Sequence, residues 1–239
     1  MPPIRRAIAD MPPQRIGAVS KLAVGDPDII PLWFGESDLP TPDFVGEAAI
    51  QAIRDGHTRY VHKRGILPLR EAIRDYMAAQ WAVGLELERI TVTGSGMTAI
   101  MIAVEFLVDN GDNVVMLSPI WPNIFYAVET MGGECRHVRL LDGPDGWKLD
   151  LERLFEACDD RTKALFIASP SNPTGWMMTA DEQQAVLDFC RERGIWIIAD
   201  EVYHRIVYDR PVAPSFLELA DPDDGLFVVH SFSKSWAMT

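Results

Sequence analysis

From residue 90 onward the chain alternates short apolar runs with stretches whose apolar residues recur at helical spacing. The runs are Ile90–Thr93, Asn113–Leu117, Cys135–Leu140, Ala164–Ala168, Ile195–Ala199 and Leu226–Val229. Short runs without a polar face read as strands covered on both sides, so the pattern predicts a six-stranded, mainly parallel sheet with helices on both faces, a three-layer α/β fold. Helical spacing falls at Met97 to Val108 and at 122–131. A third helix opens on Thr179-Ala180-Asp181-Glu182, a capping-box signature, and stops at Gly194.

Before residue 90 the pattern is different. Pro31, Gly35, Pro40 and Pro42 break any regular element, so residues 1 to about 45 read as an arm and a turn-rich segment, Trp33 to Asp38. A helix follows through Phe44, Ala48, Ile50 and Ile53 and ends near Gly56. Then come an exposed aromatic and basic loop, Arg59 to Gly65, and a second helix with Leu69, Ile73, Tyr76 and Met77 on one face.

Composition narrows the possibilities. At 239 residues and 48% hydrophobic content the chain can bury a sizeable core, and its net charge of −13 offers no basic field to nucleic acid or an anionic membrane. Cys135, Cys158 and Cys190 are odd in number and lack CxxC spacing, and the five histidines are dispersed, so neither disulfides nor a metal site is expected. No apolar run approaches the ~18 residues that span a bilayer, which points to a cytoplasmic protein.

In open α/β sheets ligands bind beyond the carboxyl ends of the strands. After the first run comes Gly94-Ser95-Gly96-Met97, a glycine turn opening a helix, suited to a phosphate and equally to simple strand termination. Trp121 follows the second run, as a stacking aromatic or a core residue. Ser169 to Gly175 is a stiff turn that fixes the Asn172 amide. Asp200-Glu201-Val202-Tyr203 puts a carboxylate at a strand terminus, where burial demands a cationic partner. The last run leads into His230-Ser231-Phe232-Ser233-Lys234, and Lys234 is either a solvated surface lysine or a desolvated nucleophile toward carbonyls. Together these are the contacts pyridoxal 5'-phosphate requires: an anion site, a ring cover, a carboxylate for the pyridine nitrogen, an amide and a phenol for the 3-oxygen, and an amine for the aldehyde.

The segments SPSNPTG, ADEVY and SFSKSWAMT, in this order and with GSGMTAI and SPIWPN before them, resemble the class I and II aminotransferases, fold-type I pyridoxal-phosphate enzymes. The resemblance covers the chain from about residue 30 to its end. It implies that Lys234 is the Schiff-base lysine and proton shuttle, that Asp200 pairs with the pyridine nitrogen, and that Tyr203 and Asn172 bond the 3-oxygen. Trp121 would stack on the ring. Ser95, Gly96, Met97, Ser231 and Ser233 would hold the phosphate, and Tyr60 would reach the phosphate of a neighbouring subunit in a homodimer. Gly35, with Asn172, would lie beside the substrate carboxylate. The implied activity moves an amino group between an amino acid and a 2-oxo acid; a carbon–sulfur lyase of the same fold and an inactive fragment are the alternatives.

The resemblance divides the chain into 1–45, an arm with part of a small domain, and 46–239, a cofactor-binding large domain. The family pattern continues past Thr239 with a further strand and a C-terminal small domain. The chain is therefore expected to be either a gene model cut short or a poorly soluble remnant.

Overall fold

The structure, a computed structural model, describes residues 2–13 and 15–239. Among the described residues seven strands run in chain order: β1 (Asn113–Ser118), β2 (Glu134–Arg139), β3 (Leu141–Gly143), β4 (Gly146–Lys148), β5 (Thr162–Ala168), β6 (Trp196–Asp200) and β7 (Leu226–Val229). Five of them form one wholly parallel sheet in the order β2-β1-β5-β6-β7, while β3 and β4 make a separate antiparallel ribbon. The helices are α1 (Arg6–Ala9), α2 (Ile16–Ser20), α3 (Asp43–Arg54), α4 (Leu67–Trp81), α5 (Gly96–Leu107), α6 (Asn123–Met131), α7 (Leu151–Glu156), α8 (Ala180–Arg193) and α9 (Phe232–Ser235).

Strand parity sorts the core into two layers, because successive side chains leave a strand on opposite faces. Val114, Met116, Ala164, Phe166, Ala168, Ile198 and Val229 face Ile100, Ala103 and Val104 of α5 and Ile124, Ala127 and Val128 of α6. Their neighbours Val115, Leu117, Leu165, Ile167, Ile197 and Ala199 face Leu154 of α7 and Val186, Leu187 and Cys190 of α8. Covering both faces is what lets the strands dispense with polar alternation. The expected helix starts and stops are met: Thr179 and Glu182 close a reciprocal capping box on α8, and Gly194 ends it at φ +66°.

The run Ile90–Thr93 is not a strand, which corrects the sixth strand of the sequence pattern. Its polar backbone is used elsewhere: Arg70 Nε on α4 donates to the Ile90 carbonyl at 3.0 Å, and Val92 N–H donates to the Arg64 carbonyl at 3.0 Å. Among the described residues no strand lies beside this run to form a ladder, so its apolar side chains pack without sheet pairing. The β3–β4 ribbon was not signalled by the pattern, being three residues a strand around a Pro-Asp-Gly turn.

Among the described residues no helix is long and apolar enough to cross a membrane. The three cysteines are unpaired thiols.

Candidate active site

Parallel pairing delivers the carboxyl ends of β5, β6 and β7 to one edge, with Ala168 beside Asp200 and Asp200 beside Val229. Parity turns Asp200 to the α5–α6 side of the sheet, where it is only 8% exposed. Among the described residues its carboxylate receives one hydrogen bond, at 3.4 Å from Val202 N–H, so most of its acceptor capacity is unspent. Burial pushes the carboxyl up to about 6, against the opposing pulls of Val202 N–H and the positive charge of Lys234.

Lys234 reaches this edge because β7 runs into the short helix α9. Ser231 caps that helix, its Oγ accepting from Ser233 N–H at 3.0 Å and donating to Ser233 Oγ at 2.8 Å. The Lys234 ammonium donates to the Gly35 carbonyl at 2.6 Å and lies 5.7 Å from the centre of the Tyr203 ring. Tyr203 in turn accepts a hydrogen bond from Asn172 Nδ2 at 3.4 Å; burial raises its phenol and the Asn172 bond lowers it. The Asn172 carbonyl accepts from Trp121 N–H at 2.9 Å, which ties the loop after β5 to the loop after β1 and holds the half-buried Trp121 at the rim.

The glycine turn faces the same edge. Ser95 caps α5 through its Oγ, which accepts from Thr98 N–H at 3.1 Å, and α5 presents Gly96 and Met97 as its first residues. A Cβ at Gly96 would stand 3.7 Å from Ser231 Cβ, so the two proposed halves of the phosphate site are neighbours. Gly35 belongs here for a steric reason: a Cβ on it would come within 2.9 Å of Tyr203 Oη. Thus Gly35, Asn172, Asp200, Tyr203 and Lys234 are linked by contact or charge, and Gly96 and Ser231 adjoin one another. Tyr60 differs. It stands fully exposed on the loop after α3 and, among the described residues, touches none of the other candidates.

The donor set fits pyridoxal phosphate: a buried carboxylate with capacity to spare, an amine bonded to a carbonyl and set over the Tyr203 ring, and an amide–phenol pair. The sequence model described as aminotransferase class I and II matches residues 27–239.

The chain belongs to the class I and II aminotransferases.

The probable aspartate/prephenate aminotransferase of Aquifex aeolicus is 37% identical over 213 residues, covering 89% of this chain and 54% of that protein. The aspartate aminotransferase of Geobacillus stearothermophilus is 31% identical over 241 residues, covering 99% of this chain and 61% of that one. A solved single mutant of the Thermus thermophilus aspartate aminotransferase superposes with a TM-score of 0.91 at 31% identity, covering 100% of this chain and 63% of its own. The chain therefore spans a little over half the length of these aminotransferases.

Sequence reasoning missed a second group of residues directly behind the site. Glu201 and His204 are buried and lie against the half-buried His230 and Tyr76, and each of Glu201, His204 and His230 follows or precedes a candidate by one position. The available signal was parity: a residue next to a strand-end candidate faces the opposite layer.

Proposed function

We propose that the chain is the cofactor-binding portion of a pyridoxal-phosphate-dependent aminotransferase that moves an amino group between an amino acid and a 2-oxo acid. The observation that carries this reading is buried Asp200 at the end of β6 within electrostatic reach of Lys234, which follows the adjacent strand β7, with the Asn172–Tyr203 pair beside Lys234. When bound, pyridoxal phosphate supplies an aldehyde for amine capture and a ring that accepts electrons.

The roles of the chain's own residues follow from their surroundings. Lys234 Nζ would hold the cofactor through its aldehyde, and the Lys234 amine would carry a proton to or from the substrate α-carbon. Above about pH 6 the Asp200 carboxyl is ionised, as a partner for a protonated ring nitrogen must be. Asn172 and Tyr203 would donate to the 3-oxygen, Trp121 would cover the ring, and the α5 N-terminus with Ser95, Gly96, Met97, Ser231 and Ser233 would take the phosphate. Gly35 and Asn172 face the substrate. Residues 1–45 serve as arm and small-domain segment and 46–239 as the large domain. The protein works in a reducing, cytoplasmic setting as a homodimer, in which the exposed Tyr60 reaches the neighbouring subunit's phosphate. The names of the relatives make aspartate the first amino donor to assay.

The test is optical. Pyridoxal 5'-phosphate mixed with the purified chain should give a visible absorption band, lost on borohydride treatment, with the reduced cofactor found by mass spectrometry on Lys234. Lys234→Ala should bind without that band and lose amino transfer by at least about 10²-fold, the scale of a missing proton carrier. Cofactor fixed to another lysine, or no band in excess cofactor, overturns the reading.

A further inference from the structure

Behind Asp200 lies a buried polar cluster that the proposed chemistry does not use. Glu201 is 2% exposed and faces the α8 side of the sheet, opposite Asp200. Its carboxylate accepts from Ser215 Oγ at 2.7 Å and from Phe216 N–H at 3.1 Å, and its Oε2 lies 3.6 Å from His230 Nε2. The β6–β7 ladder explains that approach: Glu201 N–H donates to the Val229 carbonyl at 2.9 Å, one position beyond the Asp200–Val229 pair, which sets Glu201 beside His230.

The hydrogen-bond roles can be read from the acceptors. His204 Nδ1 lies 3.0 Å from the Glu201 carbonyl, which only accepts, so His204 carries its proton on Nδ1. His204 Nε2 then accepts from Tyr76 Oη at 2.8 Å. His230 Nδ1, 3.3 Å from His204 Nδ1, is left as an acceptor, which places the His230 proton on Nε2, aimed at Glu201. Among the described residues that buried Nε2 has no hydrogen-bond partner within normal length. Trp81 packs on both imidazoles, and Tyr76 meets Trp236 edge to face with centroids 5.3 Å apart.

We propose that Glu201, His230 and His204, oriented by Tyr76, form a buried positioning array that fixes Asp200, Ser231 and Tyr203 toward the cofactor. Each member is one peptide away from the residue it positions, so displacing a ring or carboxylate in the array moves the backbone from which that residue projects. The array also joins three separate pieces of chain: the end of β6, the start of the Ser231 turn and helix α4. It rests on the cofactor reading above. The charged groups around it are Asp200 and Glu218 near Glu201, Arg205 near His204 and Tyr76, and Lys234 on the far side of Asp200.

The experiment compares pyridoxal 5'-phosphate binding and the pH midpoint of the visible band in the unsubstituted chain, His230→Leu and His230→Gln. His230→Leu should weaken binding about tenfold, as for a lost buried hydrogen-bonding group, and move the midpoint by about half a unit. His230→Gln, which restores a donor toward Glu201, should return both to within about twofold and about 0.2 units of the unsubstituted chain. Equal losses in both variants with an unmoved midpoint would mean a packing role alone and overturn the proposal. So would unchanged binding in His230→Leu. If His230→Leu does not fold cooperatively in urea, Tyr76→Phe makes the same comparison, since it deletes the hydroxyl that bonds His204 and that Arg205 also bonds; an unmoved midpoint there overturns the proposal. A missing band in the unsubstituted chain overturns the cofactor reading itself, and the array with it; a normal band with indifferent variants overturns the array alone.

Discussion

Gly35 and Tyr203 belong to segments far apart in the chain, yet a single methyl group would bring them into collision. A Cβ at Gly35 would approach Tyr203 Oη to 2.9 Å, closer than carbon and oxygen tolerate. Gly35→Ala should therefore displace the phenol at a cost of about 1–3 kcal/mol and weaken pyridoxal phosphate binding. Removing the hydroxyl in Gly35→Ala/Tyr203→Phe should relieve the clash, so the double variant should be more stable than Gly35→Ala alone in urea melts. A second prediction concerns Glu201, whose carboxyl burial pushes up to about 8 from an ordinary 4.5. Between about pH 6.5 and 8 the folded chain keeps a proton on Glu201 that the unfolded chain has released, so stability should fall as pH rises through that window. Below 6.5 the opposing effect of His230 enters, because burial drives its imidazole down to about 3 and the unfolded chain then binds the extra proton. The urea midpoint measured from pH 6.5 to 8 should decline, and Glu201→Gln should flatten the decline.

Among the elements, the helices show what the sequence made legible. The capping box at Thr179 and Glu182 and the left-handed Gly194 are local chemistry, written within a few residues, and α8 begins and ends where they dictate. Thr179→Ala should cost about 1 kcal/mol in a urea melt and leave cofactor binding unchanged, since α8 lies on the layer away from Lys234. Ile90–Thr93 shows the opposite case. Its composition suits a strand, but a strand needs a neighbour, and pairing is decided by distant chain; here Arg70 and Arg64 take its backbone instead. The candidate site divides along the same line. Asp200, Asn172, Tyr203 and Lys234 were legible because each follows an apolar run or sits in a distinctive turn. Glu201, His204 and His230 were not, because their relation depends on the register of β6 against β7, which no short segment encodes.

For the molecule as a whole, large apolar side chains stand exposed on two of the outer helices. Phe44 and Ile53 on α3 are 75% and 67% exposed, and Phe106 on α5 is 68% exposed beside Trp196 and Phe227. Among the described residues, β7 also has no strand on its outer side. These surfaces should drive association, so size-exclusion chromatography should show species larger than a monomer that shift with concentration, and Phe106→Glu should reduce them. Equally long-ranged is the bond from the Lys234 ammonium to the Gly35 carbonyl, which closes 199 residues of sequence into a ring. Such a latch holds only while the amine has protons to give, since an amine that has joined an aldehyde no longer offers the same donor. The accessibility to a protease of the segment around Gly35 thus becomes a gauge of what Lys234 is doing: cleavage there should rise once the amine has taken other company, while Arg5 and Tyr126 still tie the first residues to α6.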